Sequence, residues 1–348
     1  MDLKNIQWGE FEIGKIFKIE NCKCSNVSLL QSGNIPYVGA TNRNNGVLKF
    51  VKPIEKLITK GNCIAFICDG EGSVGYSIYK EEDFIGSTTV KVGRSKYLNK
   101  YTASFIITIA DTVRSKYNFG FKRNETHLKK EKVLLPINAK GEADYSFMEQ
   151  FMRQKEKEKF QKFQNYIFQR TEQVKDFKAV EPLNKIEWGE FFIEDIAQII
   201  SGRDIYETER KKGSIPYVSA TANNNGIGYF VGNSNETLEE NCLSVNRNGS
   251  VGYSFYHQYK ALFSNDCRKL RLENKSPFVG KFISRIITGQ KDKYGYGYKM
   301  GTGRIKRQKI LLPIDKKGLP DYDYMENYIK KLEHDKLTKY LTRKTTNA

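Results

Sequence analysis

Several loops of the sequence carry side chains that can hydrogen-bond the edges of DNA base pairs. Arginine suits guanine, asparagine suits adenine, and aspartate or glutamate suits the amino group of cytosine. The candidates in the first half of the chain, with one lysine beside them, are Asn42, Arg43, Asp69, Glu71, Lys122, Arg123 and Asn124. Those in the second half are Asn223, Asn246, Arg247, Asn248, Lys299 and Arg304. Solvated turns that drift freely in sequence are the alternative interpretation of any single loop.

Corresponding loops of the two halves differ in their chemistry. Cys68–Glu71 precedes one Gly-Ser-Val-Gly-Tyr block and Val245–Asn248 precedes the other, so Asp-Gly-Glu in one half stands opposite Asn-Arg-Asn in the other. We therefore predict that the same position of the scaffold contacts different bases in each half.

A basic and aromatic segment lies further along each half, at Lys116–Arg123 and Lys293–Lys299. Lysines beside tyrosines on a glycine-containing loop suit contacts with phosphates. Packing of some of these rings against the sheet is the alternative.

The sequence shows no clear motif for catalysis or metal binding. No Pro-Pro pair occurs, so the Asn/Asp-Pro-Pro-Tyr/Phe loop of an adenine methyltransferase is missing, as are a glycine-rich cofactor turn and a Walker loop. Glu209–Lys211 matches the Glu-x-Lys tripeptide of nucleases, but such tripeptides are common in a chain rich in glutamate and lysine. Six cysteines and three histidines have no spacing typical of a zinc site, and reduced, buried thiols are expected. We expect any chemistry to be supplied by another protein.

The charge of the chain indicates a polyanionic partner. Lysine and arginine outnumber aspartate and glutamate by 58 to 40, for a formal net charge of +18. Nucleic acid fits this imbalance best, with membrane surfaces and acidic proteins as alternatives. No apolar run approaches the roughly 18–20 residues of a membrane helix, and the first residues do not resemble a signal peptide. We therefore expect a cytoplasmic protein without membrane contacts.

The sequence contains an internal duplication. Three blocks recur in the same order, Trp8–Phe11 as Trp188–Phe191, Gly33–Thr41 as Gly213–Thr221, and Gly72–Ser77 as Gly249–Ser254. The offset is 180 for the first two blocks and 177 for the third. Because this period is far longer than that of a solenoid repeat, each copy is predicted to be a folding unit of its own.

Each copy mixes short strands with helices. Apolar segments between glycine- and asparagine-rich turns predict strands at Ile35–Val38, Cys63–Cys68, Tyr76–Tyr79 and Thr88–Val92. A helix is predicted at Lys100–Arg114, with its counterpart at Phe278–Gly289. The Leu-Leu-Pro-Ile block that ends each copy is predicted to be an edge strand, since proline cannot donate to a neighbouring strand. The fold class is therefore α+β.

A longer helix is predicted after each copy. Apolar residues from Met148 to Phe177 recur on one face, with Asp144 as N-cap, and a shorter stretch repeats this pattern at Asp323–Leu341. Long helices with an apolar stripe need a helical partner, and these two can pair antiparallel. The predicted boundaries are 1–143 and 181–320 for the two domains, and 144–180 and 321–348 for the two helices.

In combination these blocks resemble the DNA specificity (S) subunits of type I and type IIB restriction–modification systems. The blocks that carry the resemblance are the Trp-Gly-Glu-Phe opening, Ile-Pro-Tyr-Val-(Gly/Ser)-Ala-Thr, Gly-Ser-Val-Gly-Tyr, and the Leu-Leu-Pro-Ile junction into a helix. The resemblance covers essentially the whole chain. It implies a non-catalytic subunit with two target-recognition domains, each of which binds one half of an interrupted duplex target. It also implies that the helices pair with pseudo-twofold symmetry as an antiparallel coiled coil.

The resemblance further implies partners and cofactors. Two copies of a methyltransferase, or of a fused nuclease–methyltransferase, are expected to dock on the helices. S-adenosylmethionine and Mg²⁺ are expected in those partner subunits, and no cofactor in this chain. A basic RNA-binding or assembly scaffold is the alternative. Platforms for single strands place aromatic rings on exposed strands, whereas the rings here crowd into the loops and the helix stripe, which favours double-stranded DNA.

Overall fold

The computed structural model describes residues 2–24, 26–70, 72–117 and 121–345. It divides into two compact units, Met1–Phe163 and Gln164–Ala348. Both units contain strands and helices in nearly the same order, which confirms the duplicated α+β class. Among the described residues, no helix is both long enough and apolar enough to cross a membrane.

The described residues of the first unit form three sheets. Its strands are β1 (Trp8–Glu12), β2 (Lys18–Asn21), β3 (Ser32–Val38), β4 (Val47–Val51), β5 (Ile58–Thr59), β6 (Cys63–Ile67), β7 (Ser77–Lys80), β8 (Phe84–Gly86), β9 (Val90–Arg94) and β10 (Lys132–Pro136). Its helices are α1 (Ile13–Ile16), α2 (Lys100–Ala110), α3 (Glu125–Lys130) and the first part of α4 (Tyr145–Val174). One sheet has the order β2-β9-β6-β7, another has the order β4-β3-β8-β5, and β1 pairs with β10.

The second unit repeats this plan. Its strands are β11 (Trp188–Phe192), β12 (Ala197–Ser201), β13 (Lys212–Val218), β14 (Ile227–Val231), β15 (Cys242–Asn246), β16 (Ser254–His257), β17 (Leu262–Phe263), β18 (Cys267–Leu272) and β19 (Lys309–Pro313). Its helices, besides the end of α4, are α5 (Ile193–Ile196), α6 (Pro277–Thr288), α7 (Thr302–Lys306) and α8 (Tyr322–Thr345). The sheets have the orders β12-β18-β15-β16, β14-β13-β17 and β11-β19.

Strand β6 shows why the core forms. All five of its residues are buried, and alternate side chains of a strand point to opposite faces of the sheet. Ile64 and Phe66 pack in one cluster with Ile106 of α2, whereas Cys63 and Ala65 pack in another cluster that includes Phe84 of the neighbouring sheet. The strand is therefore covered on both sides, which explains its continuous apolar sequence.

Local signals set the helix ends. Asn99 caps α2, since its side chain accepts from Tyr101 N at 2.9 Å and Thr102 N at 3.1 Å. The α-helix ends at Ala110, so the predicted end at Arg114 is wrong. A separate 3-10 helix follows directly, from Asp111 to Lys116. Asp144 caps α4 as predicted, accepting from Phe147 N at 2.9 Å, but the helix ends at Val174, before Phe177.

The end of α4 packs against α8 within the second unit. Arg170 Nη2 donates to Glu333 Oε2 at 3.0 Å, and Lys178, just beyond α4, pairs with Asp323 at 2.5 Å. Residue numbers rise along one segment as they fall along the other, so this part of the pairing is antiparallel, as predicted.

Candidate nucleic-acid interface

Three loops converge in the first unit, and we name their described residues the first loop cluster (residues 39–46, 68–70, 72–76, 111–117 and 121–124). Lys122 Nζ lies 2.8 Å from Asp69 Oδ2, which joins the second and third loops. Gly70, at a φ of 107°, approaches the first loop so closely that an added Cβ would lie 2.7 Å from the Ala40 Cβ. The fold therefore brings together segments that are distant in sequence.

The same three loops converge in the second unit as the second loop cluster (residues 219–226, 246–253 and 288–304). Asn246 Nδ2 donates to Thr221 O at 3.0 Å, which joins the first and second loops. A Cβ added to Gly252, in the second loop, would lie 2.7 Å from the Lys291 Cα in the third. Both units thus present a composite surface built in the same way.

The Asn-Asn-Gly turns shape the first loop of each cluster. Asn44 and Asn45 have φ values of 49° and 52°, and Asn224 and Asn225 have φ values of 50° and 54°. Asparagine tolerates this left-handed conformation better than most residues, so these asparagines build the turn, as turn chemistry predicts.

Most of the predicted contact residues lie at the surface of a loop cluster. Those that are exposed are Asn42, Arg43, Lys122, Asn124, Asn223, Lys299 and Arg304. Those that are partly exposed are Asp69, Arg247 and Asn248. Glu71 lies outside the described residues. The structure therefore leaves these ten described side chains accessible, and their role in DNA contact stays a prediction.

Arg123 is a correction, because it is fully buried. Its Nε donates to Glu131 Oε2 at 2.9 Å, and its Nη1 donates to Gly75 O at 3.0 Å. Tyr117 also donates to Glu131 Oε2, at 2.6 Å. Arg123 therefore holds the third loop against the second from inside the domain and has no access to a base.

Asn246 is a second correction. It ends β15, is fully buried, and uses its amide to bind Thr221 O, while its Oδ1 accepts from Cys267 Sγ at 3.4 Å. With its side chain bonded inside the domain, it positions loops and does not contact DNA.

The correspondence between the second loops also differs from the sequence comparison. Gly75 N donates to Ile67 O at 3.0 Å, and Gly252 N donates to Asn246 O at 2.9 Å, so Ile67 and Asn246 are equivalent. It follows that Arg247 is equivalent to Cys68 and Asn248 to Asp69. The first copy is two residues longer after this point, which is why matching the Gly-Ser-Val-Gly-Tyr blocks placed Asn246 opposite Asp69.

Cations stacked on tyrosine rings line both clusters. The Arg114 guanidinium lies 4.2 Å from the ring centre of Tyr76, and that of Arg304 lies 3.9 Å from the ring centre of Tyr298. Tyr296 is 92% exposed, with Lys299 Nζ 5.2 Å from its ring centre. Sequence reasoning missed Arg114 because it was assigned to the end of α2.

The basic and aromatic segments serve two purposes. Tyr117 and Tyr294 are half-buried, and their hydroxyls donate to Glu131 and Gln308. Tyr294 also packs against the apolar core of the second unit, which confirms the packing alternative for this ring. Tyr296 and Tyr298 remain exposed. Residues 118–120 of the first segment lie outside the described residues.

Two exposed phenylalanines run against the expectation that the rings crowd into the loops and the helix stripe. Phe50 on β4 and Phe230 on β14 occupy equivalent positions and are 55% and 61% exposed. An exposed ring on a strand is a feature of proteins that stack single-stranded bases. This pair therefore supports the RNA-binding alternative.

One carboxylate of the first loop cluster and two thiols of the second unit have shifted pKa values. The hydrogen bond from Lys122 holds the pKa of Asp69 below its ordinary value. Burial raises the pKa of Cys242 and Cys267 to about 12, so neither is a thiolate at neutral pH. Within the described parts of the chain, no group of three or more histidine, cysteine and acidic side chains could hold a metal ion.

Comparison with known proteins gives consistent matches over the whole chain. The profile of the type I restriction modification DNA specificity domain matches twice, at residues 5–164 and 185–343. The chain is 31% identical over 334 residues to the specificity subunit S.BcgI of a type II restriction enzyme from Heyndrickxia coagulans, covering 94% of this chain and 95% of that protein. The crystal structure of a type I restriction–modification S subunit from M. genitalium superimposes with a TM-score of 0.58 at 15% identity, covering 99% and 94% of the two chains.

Proposed function

The chain belongs to the family of type I restriction modification DNA specificity domains, and from this premise we propose that it recognises a specific sequence in duplex DNA for a restriction–modification enzyme. The relative is named a specificity subunit, and the chain belongs to this non-catalytic class. The observation that carries the proposal is the repetition of one loop cluster on two similar scaffolds with different exposed side chains. Such a pair suits a target made of two unlike half-sites.

The proposal extends to the partner. A methyltransferase, or a fused nuclease–methyltransferase, would supply the chemistry together with S-adenosylmethionine and Mg²⁺. Two copies of that subunit suit a chain that contains two copies of one fold. The duplicated charge pairs Glu10–Lys132 and Glu190–Lys309, at 2.8 and 2.7 Å, show that parts of the framework outside the loop clusters are also repeated.

Selection from a random duplex library tests this function, with the full chain used alone and with its methyltransferase subunit. Two short conserved boxes at a fixed spacing are expected. The Asn42→Ala/Arg43→Ala variant should alter one box and leave the other unchanged, because these residues belong to the first loop cluster only. A pool without any shared sequence would contradict the proposal.

Competition between duplex DNA, single-stranded DNA and RNA separates the second candidate function. Duplex DNA should compete best, and Phe50→Ala/Phe230→Ala should leave its binding unchanged. A preference for RNA that the double variant abolishes would instead favour a single-strand binding scaffold.

A further inference from the structure

Two arginines, Arg247 and Arg268, lie close together at the base of the second loop cluster. Val245 of β15 lies opposite Arg268 of β18, and Arg247 N donates to Asp266 O at 2.9 Å across the same two strands. Arg247 directly follows β15 in a bend, so its backbone lies beside the end of the strand that carries Arg268. Burial lowers the pKa of Arg268, and the positive charge of Arg247 lowers it further, which agrees with their proximity.

Arg268 is held in place by the domain. It is 6% exposed, its Nε donates to Thr302 Oγ1 at 2.7 Å, and its Nη1 donates to Asn265 O at 2.8 Å. Its counterpart in the first unit is Lys91, which lies opposite Phe66 as Arg268 lies opposite Val245. A cation at this position is therefore common to both units.

Arg247 lacks a comparable set of partners. Its side chain is partly exposed, and its buried Nε has no hydrogen-bond partner among the described residues. The nearby Asp266 carboxylate accepts from Asn248 Nδ2 at 3.0 Å. A buried donor without a partner is unfavourable. Because Arg247 as a whole is partly exposed, its Nη groups, and not the buried Nε, are suited to an acceptor supplied from outside the domain.

The difference between the two units at the position of Arg247 indicates whether the external acceptor is a phosphate or a base. Phosphates are the same in every DNA sequence, so a phosphate contact is expected at both equivalent positions. Arg247 is instead equivalent to the buried Cys68, while the cation at Arg268 and Lys91 is retained. A position that changes from arginine to cysteine between two similar scaffolds is suited to base recognition.

We propose that Arg247 donates to the O6 and N7 atoms of one guanine in the half-site bound by the second unit. Arg268 is a positioning residue, whose fixed positive charge turns Arg247 outward. The inference rests on the proposed function and adds to it a base and the two residues that select it.

Equilibrium binding to the selected target tests the contact at the level of atoms. Replacing each guanine in turn by 7-deazaguanine removes only N7, and replacing the adjacent phosphate by methylphosphonate removes only its charge. At one guanine, the 7-deaza change should weaken wild-type binding and leave Arg247→Ala binding unaffected. Arg247→Ala should lose about 5- to 150-fold in affinity for the target but not for a duplex with adenine at that position.

Three further variants complete the test. Arg247→Lys keeps the charge without the planar fork and should lose most of the discrimination. Arg268→Met should lower the ratio of affinity for guanine to affinity for adenine at unchanged non-specific affinity, and Arg268→Lys should restore that ratio. Arg203→Ala is the matched control, since Arg203 is exposed and forms a surface ion pair with Glu236.

Three results would overturn the inference. The first is a selected half-site that contains no guanine. The second is a phosphate contact, which would appear as equally weakened binding of Arg247→Ala to all duplexes and as weaker wild-type binding to the methylphosphonate duplex. In both cases the wild-type chain still selects two boxes, and the proposed function stands. A wild-type chain without sequence preference would overturn both.

Discussion

Arg123 and Glu131 show how one buried position is filled in two ways. In the first unit they form a buried ion pair that also accepts a hydrogen bond from Tyr117. In the second unit the equivalent residues are Met300, which is 1% exposed, and Gln308, which accepts from Tyr294. A buried ion pair depends strongly on both partners, whereas an apolar replacement of similar volume is tolerated.

Arg123→Met should destabilise the first unit, because it leaves the buried Glu131 charge without its cationic partner. The expected loss is about 3–5 kcal/mol in the free energy of unfolding. The double variant Arg123→Met/Glu131→Gln reproduces the second unit and should recover most of this loss. Urea unfolding followed by Trp8 fluorescence in a Trp188→Phe background measures both. Lys122→Met, at an exposed ion pair, is the control, and a double variant as unstable as the single one would refute the explanation.

His257 makes the stability of the second unit depend on pH. It is fully buried, its Nε2 lies 2.9 Å from Ser244 Oγ, and burial lowers its pKa from 6.5 to about 4. The unfolded chain binds the proton first as pH falls, so stability present above pH 6.5 is lost progressively down to about pH 4. The loss from this residue is about 3 kcal/mol. The free energy of unfolding of His257→Gln, measured by Trp188 fluorescence in a Trp8→Phe background, should lack this loss between pH 6.5 and 4. The same pH dependence in His257→Gln and in the protein with His257 would contradict the explanation.

Three helices of the second unit meet at one carboxylate. Glu333 of α8 accepts from Arg170 of α4 and from Lys281 of α6, both at 3.0 Å to Oε2. Burial raises the pKa of Glu333, but these two hydrogen bonds outweigh burial and hold it below its ordinary value. The end of α4 is thereby joined to the second unit by a charged contact in addition to apolar packing.

Glu333→Ala should therefore destabilise the second unit. It leaves two partly buried cations without an acceptor, and a loss of about 1–3 kcal/mol in the free energy of unfolding is expected. Asp335→Ala is the matched control, since Asp335 is exposed on the same helix and pairs with Lys331 at 3.1 Å. Urea unfolding of both variants is the measurement. Equal effects would show that the contact between the three helices contributes nothing specific.

The molecule as a whole combines a repeated framework with unlike loop clusters. The four-stranded sheets β2-β9-β6-β7 and β12-β18-β15-β16 have the same order of strands, although the loops that follow β6 and β15 differ in length. The formal net charge of +18 favours binding to DNA phosphates. Contacts with phosphates carry no sequence information, so this charge contributes to affinity and not to specificity. Affinity and specificity are thus assigned to different groups of residues.

Binding to duplex DNA should therefore weaken steeply with salt. If six to ten phosphates are contacted, the association constant should fall by about 10³ to 10⁵ between 50 and 200 mM salt. Lys116→Ala should reduce the slope of log affinity against log salt by about one, whereas Arg247→Ala should leave the slope unchanged. A flat salt dependence would show that phosphate contacts do not supply the affinity.

The sequence by itself determined the features that depend on neighbouring residues. The duplication, the α+β class, the Asp144 cap and the Asn-Asn-Gly turns all follow from short blocks and local periodicity. These features need only the backbone preferences of a few consecutive residues, so they survive without knowledge of distant contacts.

Only the tertiary structure decided which loop residues are available for contact. Arg123 and Asn246 resemble Arg43 and Asn223 in sequence, yet their hydrogen-bond partners Gly75 and Thr221 lie 48 and 25 residues away. The two-residue shift in the correspondence between the copies after Ile67 likewise depends on strand register. So does the proximity of Arg247 to Arg268. Burial is set by the packing of segments that are distant along the chain, and residue type alone does not determine it.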